Sequence, residues 1–385
     1  MRFLTILIAA ALAAMAPANA GVDDACARAG AWVDTESQAP MAGGDVLARA
    51  AESRMVLLGE SHDNADHHRW QIQTIAALHA RGETMTLGFE MFPRRVQPVL
   101  DDWVAGGLGE AAFLKAVEWD RVWGFDPALY LPLFHFARIN RVPMVALNVD
   151  RSLIASIREM GWDAVTEADR EGVSTPAAPD AAYRESLNLV YREHLERRKK
   201  EADKVGFERF IEAQLAWDRA MAEALAAAAQ QTTLVVGIIG SGHLENRWGV
   251  PRQLAALGLP GATVLLPWDR GRDCADMTAG LADAVFGLDF IESVQAEAPW
   301  RPRLGVAIKT IEGSLRVIEV VEASVAAAAG IEAGDVIIMA AGVAVVESSD
   351  LIAVIGRQAP GTWLPLTLER NGETHEVIAM FPGAP

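Results

Sequence analysis

Two short segments share a signature. Gly59-Glu60-Ser61-His62 and Gly240-Ser241-Gly242-His243 each place a histidine shortly after glycine, directly behind an apolar run. Glycine lets the backbone turn sharply and approach a ligand closely. A third acidic position, Glu90, lies in Gly88-Phe89-Glu90-Met91-Phe92, a setting in which an unpaired carboxylate is costly to bury. It therefore needs a partner. Two imidazoles and two carboxylates support either of two chemistries. They can hold a divalent metal ion, with His62, Glu90 and His243 as ligands. They can equally form an acid–base set, with Glu60, His62, Glu90 and His243 as the catalytic groups of a hydrolase or protease. A strand-end histidine taken singly reads as a structural group; its recurrence behind two strands favours function.

Other reactive residues have blander readings. Asp66-His67-His68 resembles a metal cluster but opens a helix, where exposure to solvent is expected. Arg94-Arg95 reads as a partner for carboxylates, ligand propionates included, or as a solvated face. Tyr191 and His194 stand about one helical turn apart in a highly charged stretch. Gln214, Trp217, Asp218 and Met221 fall on one helical stripe, where Trp217 and Met221 suit a core while Gln214 and Asp218 need polar partners. No GxSxG elbow, P-loop, HExxH or dinucleotide fingerprint occurs.

These groups are far apart in sequence, so the fold must gather them. Apolar runs at 53–58, 84–89, 143–148, 233–239 and 262–267 read as strands, and 66–81, 96–104, 111–117, 129–140 and 183–230 read as helical. Alternation of this kind predicts an α/β fold, a mostly parallel sheet flanked by helices. Each reactive segment ends an expected strand, and open parallel sheets bind ligands beyond the carboxyl ends of their strands. One shared crevice is therefore expected. The stretch 267–302 reads as a strap and linker. Beyond it come short strands, a helix over 348–358 and a hairpin turning at Asn371-Gly372. The expected division is a leader over 1–20, a first domain over 21–295 and a second over 296–385.

Composition narrows the partners. Hydrophobic residues make up 51% and charged residues 22%, which excludes chain-wide disorder. A net charge of −17 repels phosphate backbones, so nucleic acid is not an expected partner. Arg2, an apolar run and Ala18-Asn19-Ala20 make a cleavable secretory signal, and no cysteine follows to mark a lipoprotein. The expected location is the periplasm or the exterior. There, Cys26 and Cys274 would pair or remain two separate buried thiols.

Two resemblances follow from these residues. Arg303-Leu304-Gly305-Val306, Ala329-Gly330-Ile331-Glu332-Ala333-Gly334-Asp335-Val336-Ile337 and Pro360-Gly361 resemble a PDZ domain over 302–382. That implies capture of a peptide tail by strand addition, with Leu304, Gly305 and Val306 holding its carboxylate. Leu57 to Asp63, Gly88 to Phe92, Ala213 to Asp218 and Gly240 to His243 occur in the order of the ChaN family, the haem-binding uptake group of the Tiki/TraB-like superfamily. The resemblance implies an envelope-located protein of iron acquisition. It also implies haem bound through a tyrosine and stacked between protomers of a homodimer, and kinship with metal-dependent hydrolases. No local motif transfers the tyrosine; the chain offers Tyr130, Tyr183 and Tyr191, and of these Tyr191, with His194 as a second group, is the expected cofactor-binding pair.

Overall fold

The computed structural model describes residues 26–82, 84–197, 203–289, 302–311 and 313–383, so the expected signal segment lies outside the described residues. The chain divides into two compact units between residues 290 and 291.

The first unit runs β1 (Trp32–Val33), β2 (Pro40–Met41), α1 (Gly43–Glu52), β3 (Met55–Leu58), α2 (Ala65–His79), β4 (Met85–Pro93), α3 (Gln97–Ala105), α4 (Glu110–Ala116), α5 (Trp119–Val122), α6 (Leu131–Asn140), β5 (Met144–Asn148), α7 (Arg151–Met160), α8 (Ala181–Arg197), α9 (Lys204–Ala228), β6 (Leu234–Ile238), α10 (Val250–Ala256), β7 (Thr263–Asp269) and β8 (Ala284–Leu288). Its eight strands lie in the order β2-β1-β8-β7-β3-β6-β4-β5. All pairings from β8 to β5 are parallel, and β1 joins β8 antiparallel. Alternate residues of a strand face opposite sides of a sheet. Accordingly Val56 and Leu58 enter one core with Trp70, Phe89 and Phe134, whereas Leu57 enters the other with Leu225 and Val264. Both faces are covered, which explains why β3 and β4 are buried throughout.

The structure corrects three expectations. The strap over 267–302 contains a strand: β8 is buried beside β7. The helical region over 183–230 is two helices, and Asp203 caps the second by accepting the Gly206 N–H. His67 and His68 are buried rather than solvated. Asn64 caps α2 by accepting the N–H groups of Asp66 and His67, which turns the helix's first turn inward. Cys26 and Cys274 form a disulfide with Cα atoms 5.5 Å apart.

The second unit contains β9 (Val306–Ile311), β10 (Ser314–Val320), α11 (Val325–Ala328), β11 (Val336–Ala340), β12 (Val343–Ala344), α12 (Ser348–Gly356), β13 (Trp363–Arg370) and β14 (Glu373–Met380). The antiparallel order is β14-β13-β11-β10-β9, with β12 on β11. Asn371 and Gly372 both take positive φ, as the two-residue hairpin between β13 and β14 requires. Among the described residues no helix is long and apolar enough to cross a membrane.

Candidate functional site at the strand ends

Three parallel strands deliver the expected groups to one rim. β3 runs into Glu60 and His62, Glu90 lies within β4, and β6 runs into His243. The His62 Nδ1–H donates to Glu60 Oε1 at 2.5 Å. Glu90 Oε2 accepts the Gly240 N–H at 2.6 Å, and its Oε1 lies 3.6 Å from His243 Nε2. Gly240 is required here: a Cβ would stand 2.9 Å from His62 Cε1 and 3.4 Å from Glu90 Oε2. Glu60, His62, Glu90 and His243 thus share one crevice.

Asp218 on α9 completes the set. It is fully buried, bonds His243 Nδ1, and accepts the Tyr183 hydroxyl at 2.8 Å. Gln214 lies 3.1 Å from the same imidazole nitrogen. The two polar residues on the α9 stripe therefore find the partners they needed. Burial alone would lower the His243 pKa, but the carboxylates of Glu90 and Asp218 outweigh it and push it up to about 9. Burial also opposes charge on His62, and there the Glu60 hydrogen bond and the Glu90 carboxylate win and raise the pKa. Burial raises the pKa of Glu60, whose Oε2 has no hydrogen-bond partner and lies 3.9 Å from His68 Nε2. His68 itself is driven down to about 4 by burial.

A second tier fixes the loop. His67 Nδ1 accepts the Ser61 N–H at 2.8 Å while its Nε2–H donates to Asp269 at 3.0 Å. The Gln71 amide donates to the carbonyls of Leu58 and Gly59, and the Tyr130 hydroxyl donates to the His62 carbonyl at 3.2 Å. Tyr130 and Tyr183, open from sequence only as candidate cofactor ligands, instead bond the His62 carbonyl and Asp218, roles no local motif marks.

The metal reading of His62, Glu90 and His243 is not supported. Among the described residues no group of three or more His, Cys, Asp and Glu side chains is arranged to hold a metal ion. His62 Nδ1 is taken by Glu60, Glu90 Oε2 by the Gly240 N–H and His243 Nδ1 by Asp218.

Beside the cluster lies a cavity of about 540 Å³ at the ends of β4 and β5. Met91, Val122, Trp123, Val149, Ile154 and Trp217 form apolar walls, and Arg95, Arg121, Arg151 and Arg158 line it as well. Both tryptophans touch the histidines: Trp123 is 4.6 Å from the His62 ring and Trp217 is 5.6 Å from His243. Sequence reasoning singled out only Arg95 of these arginines, because the others are scattered over α5 and α7. Arg94 turns away to the carbonyls of Glu171 and Ala220. Tyr191 and His194 do not line this cavity. Tyr191 packs α8 on α9 through Phe207 and Phe210, its hydroxyl against Gly206, and His194 is exposed with Nδ1 at the Val190 carbonyl.

In the second unit a groove of about 690 Å³ runs between β9 and α12, lined by Leu304, Val306, Ile308, Leu351, Ile352 and Ile355. Leu304, Gly305 and Val306 stand at its end. Gly305 has φ +81°, and a Cβ there would collide with Ser324.

Residues 46–254 match the family model described as haem-binding uptake, Tiki superfamily, ChaN, and residues 302–379 match the PDZ domain model. The chain belongs to the ChaN family and carries a PDZ domain after it. ChaN of Campylobacter jejuni, solved with cofacially bound haem, is 20% identical with a TM-score of 0.53, over 66% of this chain and 95% of its own. The two share the α/β fold. The PDZ domain of HtrA3, solved with a phage-derived ligand, is 22% identical over 20% of this chain and 88% of its own, with a TM-score of 0.18. A serine endoprotease from Yersinia pestis is 25% identical over 22% of this chain and 30% of its own, with a TM-score of 0.20. No curated protein matches the chain.

Proposed function

We propose that the first unit binds haem in the cavity beside the histidine cluster, in the service of iron acquisition, and that the PDZ unit captures the free C-terminus of a partner. The cavity carries the reading. Haem is a flat apolar body with two carboxylates, and here tryptophans and aliphatic walls meet four guanidinium groups. Glu118 and Asp150 pair with Arg95, and Glu118 also with Arg121, while Arg151 reaches the Trp123 carbonyl and Arg158 lies over the Phe210 ring. Arg151 and Arg158 are placed to receive propionates. When bound, haem would supply iron for transport or redox chemistry.

Export to the periplasm or exterior fits the leader sequence and the Cys26–Cys274 bond. A homodimer with stacked haems is the assembly consistent with the family. In the PDZ unit, Leu304 and Gly305 N–H groups, which donate no hydrogen bond among the described residues, would hold a carboxylate. Haemin titration of the full chain tests the first reading. A saturable Soret change that weakens in Arg151→Glu plus Arg158→Glu is expected; no saturable change sinks it.

A second reading rests on the carboxylate-oriented imidazoles, Glu60–His62 and Asp218–His243. Such pairs suit a hydrolase that uses one ring as base and the other as acid. Haem-free protein would then cleave ester or peptide substrates, and His243→Ala would not.

A further inference from the structure

In the second unit, β9 is the last strand of its sheet, so its outer edge is free to accept another strand. A terminal carboxylate held at Leu304 and Gly305, at the start of β9, sends the rest of the peptide along β9 in the opposite direction. Its last residue then stands opposite Val306, the penultimate one opposite Ala307 and the third-last opposite Ile308. Residues directly opposed across two strands share a face. Val306 and Ile308 pack toward the core and line the groove with α12, so the last and third-last side chains enter its apolar part. Ala307 is exposed on the other face, and the penultimate side chain goes there with it.

A carboxylate stands on that face. Glu319 of β10 is the register partner of Ala307, across a bulge that follows Val317. Glu319 is exposed and lines the groove, and among the described residues its side chain has neither an ion pair nor a hydrogen bond. Lys309 lies two residues further along the same face and does not pair with it, and Arg316, opposite Lys309, gives its guanidinium to the Gly334 carbonyl. Arg303, the other charged residue lining the groove, stands at the carboxylate end. We infer that this PDZ unit selects C-termini with lysine or arginine at the penultimate position, with Glu319 as the specificity-determining residue and Ala307 as the gap across which the two charges meet. The inference rests on the peptide-capture reading above.

The physical case is one of reach and charge. Neighbouring strands lie about 4.8 Å apart, so Glu319 and the penultimate residue, with β9 between them, stand about 10 Å apart at the backbone. A long basic side chain and a glutamate together span that gap, provided the residue between them is small. The methyl group of Ala307 leaves the way open, and a larger side chain would close it. The pair is exposed to solvent, so it is worth only a few-fold in affinity and is screened by salt. An acidic penultimate residue meets a like charge in the same place and is disfavoured. Glu319 thus sorts partners that the apolar groove and the carboxylate loop hold.

Fluorescence anisotropy of the full chain with synthetic free-acid peptides tests this. The peptides end in valine, leucine or phenylalanine, and each is made with lysine, glutamine or glutamate at the penultimate position. The lysine forms are expected to bind about two- to fivefold more tightly than the glutamine forms, and the glutamate forms more weakly than either. Raising the salt should narrow the differences. Glu319→Gln should abolish the order and Glu319→Lys should reverse it, while both variants keep the wild-type affinity for the glutamine forms, which shows that they are folded. Ala307→Leu should narrow the lysine-to-glutamate ratio with Glu319 still in place. Saturable binding that ignores the penultimate charge, or an order that survives Glu319→Gln, overturns the assignment while leaving peptide capture intact. No saturable binding of any free-acid peptide overturns both.

Discussion

At the scale of single residues, the rim works by opposing burial with charge. His243 and His68 are both buried histidines, yet one is pushed up to about 9 by carboxylates and the other down to about 4 by burial. A ring whose folded pKa lies above its ordinary 6.5 stabilises the fold below that pH, and the contribution is lost as pH rises through 9. A ring whose folded pKa lies below 6.5 stabilises the fold above that pH, and the contribution is lost as pH falls through 4. These two rings alone would place the highest urea midpoint near pH 6.5, while the raised carboxyls of Glu60 and Asp218 oppose the acid limb, so the alkaline limb is the one to follow. Asp218→Asn should flatten the alkaline limb. An alkaline limb that survives this substitution would show that another group sets it. Gly240→Ala makes a sharper case, since its Cβ would stand 2.9 Å from His62. It should lose about 1–3 kcal/mol in urea unfolding and displace the His62 ring. The glycine-histidine pairs were readable from sequence because glycine's reason is local. Tyr130 and Tyr183 were not, because their partners lie across the fold, at His62 and Asp218.

At the scale of elements, strands were more legible than boundaries. β3, β5 and β6 are continuous apolar runs, which a doubly covered sheet demands. β8 is such a run too, but Gly, Asp and Pro around it made the whole stretch read as a linker. α2 was legible, yet the burial of its first turn was not, since Asn64 and the packing beneath β3 decide it rather than helical periodicity. Asn64→Ala should cost about 1 kcal/mol in thermal or urea unfolding. It should also loosen His67 and His68, seen as faster amide exchange at that turn; unchanged exchange would mean the tertiary contacts hold the turn without its cap. In the second unit Gly305 sits where a left-handed backbone and Ser324 exclude any side chain. Gly305→Ala should lose most of the affinity for peptides with a free C-terminus. Amidated peptides, measured by fluorescence anisotropy, should bind both proteins equally weakly. Equal affinity of the two proteins for the free acid would remove the loop from the recognition site.

At the scale of the molecule, the first unit is bound end to end. The disulfide spans 248 residues, and in the chain-entropy model closing so long a loop contributes about 5 kcal/mol. Reduction, or a double Cys26→Ser and Cys274→Ser change, should lower the urea midpoint of the first unit and leave that of the PDZ unit unaltered. The crevice itself was foreseen from the α/β pattern, because topology alone sends the ends of parallel strands to one side. The arginine-lined cavity was not, since it is assembled from α5, α7, α9 and two strand ends.

The pairing of β1 with β8 has a temporal side. A ribosome releases Trp32 and Val33 some 250 residues before their partners Phe286 and Val285 exist. Until then the opening segment has only β2 beside it, at Met41 and Pro40, and its thiol has nothing to meet. The haem domain is thus finished last at the place where it was begun first, whereas the residues that close the PDZ sheet emerge within a single short stretch.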